Sequence, residues 1–408
     1  MPLLEAISEE LTARLCDRMS AGRAAAPSAK VGDTAAEGAH RRGEARAWAV
    51  TRIDGCFEEE AGMAALDAMD RSCKFNSQTL AMSCWAFARA GWAAPRFFDA
   101  VASEASAKPQ LFSMHGLSML AWSFATARHV APALFDAIAR EACQRSMRQA
   151  DAQALVSLTW AFCTAQHAAP KLLSAIADNT VADSRLHAFS DRTISGLAWA
   201  FASAGHVEEA LFDAIAATIQ QRLDVICELQ TLSMTAWAFS VLDVPAGPAA
   251  LGARRFSRRC AVLASAAPPA EEALVQLHQY NLWCVERGVA EAVLPADLAA
   301  RCRHAMATQQ PEPSLMQQQV SDALRSHGCE LVYETTSLSG YPIDMLVRWR
   351  GAEVVVEVDG PSHFRAHSHK RTSTAELKRR QLRSLGLQRL VSVPYWEWQQ
   401  LDRKKGGE

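Results

Sequence analysis

A chain of 408 residues is long enough for two or more folded units, and with 50% of its residues hydrophobic it can bury enough apolar surface to fold, which excludes a wholly disordered protein. The formal net charge of −2 excludes a uniformly basic surface, so any anion-binding face must be local. No apolar run approaches the roughly 18 residues of a helical membrane span, and no charged region followed by an apolar core opens the chain as a secretory signal would. The 11 cysteines stand singly, with no C-x-x-C pair and no His/Cys spacing of zinc type. Several lie among apolar neighbours, as Cys84 and Cys163 do, so they read as reduced core residues in a reducing compartment.

In chain order, the first 20 residues have the spacing of a short amphipathic helix. Glu5, Glu9, Glu10 and Asp17 argue against an organelle transit peptide, which is poor in acids. The stretch from Ala21 to Ala47 is rich in Ala and Gly, carries Arg23, Lys30, Arg41, Arg42 and Arg46, and has no apolar period. Residues 1–47 are therefore expected to be disordered, as a solvated linker or the remnant of a targeting segment.

A repeat dominates the middle of the chain. Trp85-Ala-Phe, Trp122-Ser-Phe, Trp160-Ala-Phe, Trp199-Ala-Phe and Trp237-Ala-Phe recur at spacings of 37, 38, 39 and 38 residues. Five residues before each Trp stands Leu80, Leu117, Leu155, Ile194 or Leu232, and nine before it Asn76, Ser113, Asp151, Ser190 or Glu228. Four of these last five are good N-caps, and the apolar residue before most of them completes a hydrophobic staple, so a helix A starts at each. About ten residues after the Trp comes Pro95, Pro132 or Pro170, then Phe97-Phe98, Leu134-Phe135, Leu172-Leu173 or Leu211-Phe212, which predicts a helix B. The joining loops are short and carry Gly91, His129, His167 or Gly205-His206, as suits antiparallel αα-hairpins. One hairpin cannot bury its faces alone, whereas five in tandem can, so residues 48–310 are expected to form an α-solenoid. Degenerate copies around Ala47-Trp48-Ala49 and Trp283 would cap it. The Trp-Ala-Phe hairpin of about 38 residues resembles the octotricopeptide repeat and the helical region of the FAST-kinase-domain family, over roughly Phe75 to Pro248.

Seven residues before each Trp, helix A carries Gln78, His115, Gln153, Arg192 or Gln230, the one position away from the cap that is polar in all five copies. On a helix of 3.6 residues per turn this position projects near the Trp direction, with those three before and four after the Trp. Such side chains can hydrogen-bond unpaired base edges, one base per repeat, or they can be ordinary solvated first-turn residues. The Trp residues fit a core role, with base stacking as the alternative. From Phe75 to Ser240 there are 11 Lys/Arg against 13 Asp/Glu, which argues against strong phosphate binding by the array itself.

Pro311-Glu-Pro313 punctuates the chain, and a new unit spans residues 314–408. Ser314 caps a helix that ends near Gly328. Period-two runs come next, from Leu331, from Ile343 to Trp349 and from Glu353 to Asp359, with a turn at Arg350-Gly351. A helix over Thr374 to Leu385 and a strand over Leu387 to Val393 complete a small α/β fold. The order of these elements, with Glu357-Val-Asp359-Gly-Pro-Ser-His363-Phe, Leu377-Lys-Arg-Arg-Gln-Leu-Arg and Val393-Pro-Tyr-Trp-Glu397-Trp, resembles the RAP domain.

That resemblance implies a restriction-endonuclease-like fold, in which Asp344 and Glu357 would be the carboxylates that hold Mg²⁺. Asp359 stands where such folds place a lysine, with Lys370 or Lys378 as substitutes and His363 as a proton-transfer group. The bland alternative is that Asp344, Glu357 and Asp359 shape strand ends. Between Ser362 and Lys405 there are 11 Lys/Arg against 3 Asp/Glu, with His363, His367 and His369 in addition. Lys370, Arg371, Lys378, Arg379 and Arg383 are the candidate phosphate contacts, and Tyr395, Trp396 and Trp398 read as packing.

The expected architecture is mainly α: a solenoid of 37–39-residue hairpins followed by a small α/β module. Three functions remain open on the sequence. The first is a factor that binds single-stranded RNA in organellar RNA processing, stability or translation. The second is a Mg²⁺-dependent endoribonuclease. The third is an interaction solenoid without catalysis that docks other RNA-processing proteins. The resemblance implies a mitochondrion or chloroplast as location; no membrane partner is expected, and no oligomeric state is specified.

Overall fold

The computed structural model describes residues 76–405 apart from 146, 310–311, 337–339, 350 and 366–367. The expectations for residues 1–47, for the degenerate copy around Trp48 and for His367 lie outside the described residues. The chain divides into two compact units, one ending at Arg185 and one beginning at Leu186.

The first unit contains three helical hairpins: α1 (Ser77–Arg89) with α2 (Pro95–Ala107), α3 (Met114–Ala127) with α4 (Pro132–Gln144), and α5 (Ala152–Thr164) with α6 (Pro170–Val181). The Asn76, Ser113 and Asp151 side chains accept from the backbone N–H of Thr79, Gly116 and Ala154, satisfying donors that a helix start leaves without partners. Pro95, Pro132 and Pro170 each open a B helix, where their missing N–H costs nothing. Within this unit the A helices pack on one another, as do the B helices. The Trp122 and Trp160 rings lie 6.2 Å apart and are both buried, so here the Trp is core.

Two repeated devices join the hairpins. The loop residues His129 and His167 lie against Phe98 and Phe135 and reach Asp99 and Asp136, on the preceding B helix, at 2.8 Å. Beyond the B helices α4 and α6 an arginine donates back to the loop that enters the helix A of the same hairpin. Arg145 bonds the carbonyls of Phe112 and Gln110, and Arg185 those of Met147 and Ala150.

The second unit continues the pattern with α7 (Asp191–Ala204), α8 (Glu209–Arg222), α9 (Leu229–Leu242), α10 (Ala253–Ala266), α11 (Glu271–Glu286) and α12 (Ala296–Thr308). Ser190 caps α7, whereas Glu228 makes no side-chain cap bond at α9. Arg222 reaches the carbonyls of Phe189 and His187, and Arg259 that of Ile226. Trp199 and Trp237 stack with centroids 6.2 Å apart, Trp237 buried and Trp199 half-buried. Around Trp283, α11 packs on α9, and the fully buried Trp283 donates to Asp243 at 2.7 Å.

The same unit holds α13 (Leu315–Ser326), opened by a Ser314/Gln317 capping box, and a four-stranded sheet in the order β1-β2-β3-β4. Strands β1 (Glu330–Thr336), β2 (Pro342–Trp349) and β3 (Ala352–Asp359) are antiparallel, with Gly351 at φ +74° in the β2–β3 turn. Strand β4 (Leu390–Pro394) runs parallel to β3 and is reached through α14 (Ser373–Ser384), since parallel neighbours require a crossover. A last helix, α15 (Tyr395–Lys405), begins directly after β4, where the sequence pattern suggests only packing aromatics.

The two faces of the sheet have different partners. Met345, Val347, Val356 and Val358 form a core with α13 and with Trp398. On the other side, Ile343, Val355 and Leu382 share a core with Tyr341, and with Leu282 of α11 and Met306 of α12. Within this unit the sheet module and the last helices are therefore one packed body.

Candidate nucleic-acid interface

The β2–β3 pairing ends at Met345↔Val356, with Asp344 and Glu357 the next residues on the two strands, and Glu357 reaches Lys378 of α14. Asp344 accepts the Val358 N–H at 2.7 Å, supplying with its side chain the acceptor that the ladder no longer provides. Glu357 is 6% exposed, and Lys378 of α14 donates to its Oε2 at 2.5 Å, while Oε1 has no hydrogen-bond partner among the described residues. Burial pushes this carboxyl up to about 7; Lys378 opposes the rise, and Asp344 and Asp359 add to it.

Asp359, also 6% exposed, ends β3 with both oxygens engaged. His363 Nδ1 lies 2.7 Å from Oδ1, and Arg371 Nη2 donates to Oδ2 at 3.2 Å. Ser392 of β4 also donates to Oδ2, and in turn accepts from Arg371 at 2.7 Å. Burial acts to raise this carboxyl, yet the bonds from His363, Ser392 and Arg371 hold it down to about 2. Asp359 thus clamps β3, β4 and the intervening loop together. Sequence spacing gives no hint of Ser392, because β4 is placed by the crossover and not by proximity in the chain.

Asp344 lies close enough to Glu357 to act on its carboxyl, and the amine that reaches Glu357 is Lys378, not Lys370, which is exposed. One oxygen of Asp344 and one of Glu357 accept from protein donors, and among the described residues no group of three or more His, Cys, Asp or Glu side chains is placed to hold a metal ion.

The basic side chains divide by role. Arg371 and Lys378 are held in the two carboxylate clusters. Lys370 and Arg383 are exposed, and Arg379 is half-buried. Arg379 loses some of its affinity for its proton, first through desolvation and then through the nearby charges of Arg371 and Arg383. Lys370 just before α14 and Arg379 and Arg383 on it therefore make a local concentration of positive charge, the condition that draws a polyanion. Arg380 points the other way, toward Glu286 at 3.0 Å and the carbonyl of Ser240 at 2.5 Å. Beside it, Gln381 donates to the Gln279 carbonyl at 2.6 Å and accepts from Tyr341, which itself accepts from Gln279.

The five helix A positions differ in their surroundings. In the first unit Gln78 and His115 are exposed, His115 lying 4.0 Å from Asp151, while Gln153 donates to Ser157 at 3.4 Å. In the second unit Arg192 is exposed, whereas Gln230 donates to Gln276 of α11 at 3.2 Å. Gln230 thus serves a helix-to-helix contact, which its first-turn position in sequence does not reveal.

No curated protein matches the chain. The family model of the RAP domain matches residues 356–406, from the middle of β3 through α14 and β4 to the end of α15, and the match does not extend into the helical hairpins. The residues it covers include Glu357, Asp359, Lys378 and the whole cation group of α14. Residues 356–406 are a RAP domain, a family of RNA-binding modules.

Proposed function

We propose that this chain is an RNA-binding factor whose RAP domain grips the phosphate backbone of a single strand through α14, while exposed helix A residues of the hairpins contact bases. The observation that carries the reading is the RAP-domain match over residues 356–406, which includes the exposed Lys370 and Arg383 and the half-buried Arg379, in a chain whose net charge is −2. Of the five helix A positions, Gln78, His115 and Arg192 are the exposed ones. The resemblance of the hairpins to octotricopeptide repeats, and of the module to RAP domains that follow such repeats, supports a solenoid that acts in organellar RNA processing, stability or translation, in a mitochondrion or chloroplast. Docking of other RNA-processing proteins is compatible with that role.

Titration of the full chain with a single-stranded oligoribonucleotide across a salt series tests this reading. Binding should weaken as salt rises, with a log–log slope of about −0.7 per phosphate contacted. Arg379→Ala with Arg383→Ala should make the slope shallower by one to two contacts. Absence of binding at low salt overturns the proposal.

Cleavage is not part of this reading, because Asp344 and Glu357 hold a strand end and a lysine. The RNA should remain intact with Mg²⁺ present. A Mg²⁺-dependent product that disappears in both Asp344→Asn and Glu357→Gln would establish the nuclease instead.

A further inference from the structure

The loop between β3 and α14 carries a feature that neither the carboxylate clusters nor the sheet core requires. Phe364 and Arg371 form an antiparallel bridge; the Arg365 N–H donates to Lys370 and the Thr372 N–H to His363, both at 2.8 Å. The two arms of the loop are thereby held as a short ribbon. From it His369 lies flat on Trp396 of α15, with centroids 4.0 Å apart and planes within 9°. Phe364 closes the edge of the same indole at 4.4 Å and 65°. Exposure increases outward through this group: Phe364 is buried, Trp396 half-buried and His369 exposed.

An imidazole is readily hydrated, so one left on the surface adds little to a core. What the stack does is fix the plane of the ring. One face of His369 is covered by Trp396, and ordering the side chain before a ligand arrives removes part of the entropy that binding must otherwise overcome. A flat, fixed, outward-facing ring suits an unpaired nucleobase, because every base offers a π-face whatever its hydrogen-bonding edge. The surroundings suit the rest of a nucleotide. Lys370 is adjacent and exposed, and Arg371, whose guanidinium lies 5.5 Å from the Phe364 ring centroid, leads to the crowded Arg379.

We propose that His369, backed by Trp396, is a stacking site for one unpaired base of a bound RNA strand, whose adjoining phosphates run over Lys370 and Arg379. This rests on the RNA-binding reading above and adds where and how one base is held.

The test uses the full chain and two labelled single-stranded oligoribonucleotides of equal length, one normal and one abasic throughout. His369→Ala should weaken binding of the normal strand by about 5- to 150-fold, the range for loss of one stacked base. The salt slope should stay unchanged, and His369→Phe, which keeps a flat ring, should restore affinity. Wild type and His369→Ala should bind the abasic strand equally. Equal affinity of wild type and His369→Ala for the normal strand would overturn the stacking site while leaving RNA binding intact. A loss that is the same on the abasic strand would also overturn it, by showing that His369 only supports the loop. Failure of the wild type to bind either strand at low salt would remove the RNA-binding reading, and the stacking site with it.

Discussion

Two carboxylates two residues apart on β3 are pushed in opposite directions by what surrounds them. Among the described residues Glu357 has Lys378 as a partner for one oxygen and none for the other, so burial dominates and its carboxyl rises from an ordinary 4.5 to about 7. Between those values the folded chain holds a proton that the unfolded chain releases, so stability falls as pH rises from about 4.5 to about 7 and is level above that. Chemical denaturation across this window should show a loss of up to about 3 kcal/mol in wild type. Glu357→Gln should flatten the profile and be the more stable protein at pH 8; a profile unchanged by the substitution would contradict burial as the cause. Asp359 behaves in the reverse sense. Its three donors hold it down to about 2, so it contributes stability that is present above about 4 and lost as pH falls toward 2. At neutral pH, Asp359→Asn leaves Arg371 and His363 without their carboxylate and should cost about 3 kcal/mol in urea unfolding. A cost below about 0.5 kcal/mol would mean that the clamp contributes nothing.

At the scale of elements, the hairpins were legible because their signals are local. Asn76, Ser113, Asp151 and Ser190 sit within one turn of the donors they satisfy, and Pro95, Pro132 and Pro170 mark helix starts through their own covalent structure. The fifth cap position tests the logic, since Glu228 has extended backbone angles suited to a cap but makes no cap bond. Shortening it by one methylene, Glu228→Asp, should bring an oxygen within reach of the first-turn N–H groups and raise the melting temperature, by an amount worth about 1 kcal/mol. An unchanged or lower melting temperature would show that the α9 start is constrained by something else. The arginines that join hairpins are equally periodic yet hard to read: Arg145, Arg185 and Arg222 stand 23, 25 and 23 residues after their Trp. Their targets are backbone carbonyls 33 to 38 residues away, which carry no side-chain signature. Helix α15 escapes sequence reasoning for a different reason. It starts at Tyr395 immediately after a strand, and its three aromatics hide the helical period.

At the scale of the whole molecule, composition located the basic segment, and the strand pattern put Asp344 and Glu357 on the neighbouring strands β2 and β3. What the sequence concealed was the core that the RAP domain shares with α11 and α12, since its central bond, Gln381 to the Gln279 carbonyl, spans 102 residues. Gln381 is fully buried, and Gln381→Ala leaves the Tyr341 hydroxyl and the Gln279 carbonyl each short of a partner. The cost should be about 3 kcal/mol, from lost hydrogen bonds and the space vacated. In hydrogen exchange, α9, α11 and α14 should lose protection together. Loss confined to α14 and the strands would mean that the module is held independently of the helices.

The seat of α14 also bears on how such a chain can change in length. Arg380 requires the end of α9 for the Ser240 carbonyl and the end of α11 for Glu286, and Gln381 requires the Gln279 carbonyl earlier on the same helix. An additional hairpin spliced between α9 and α11 would separate those receptors and leave the RAP domain without a complete socket. Lineages that gain or lose hairpins should therefore do so ahead of α7, and the last hairpins and the RAP domain should be inherited, and transplanted by engineers, as a single cassette.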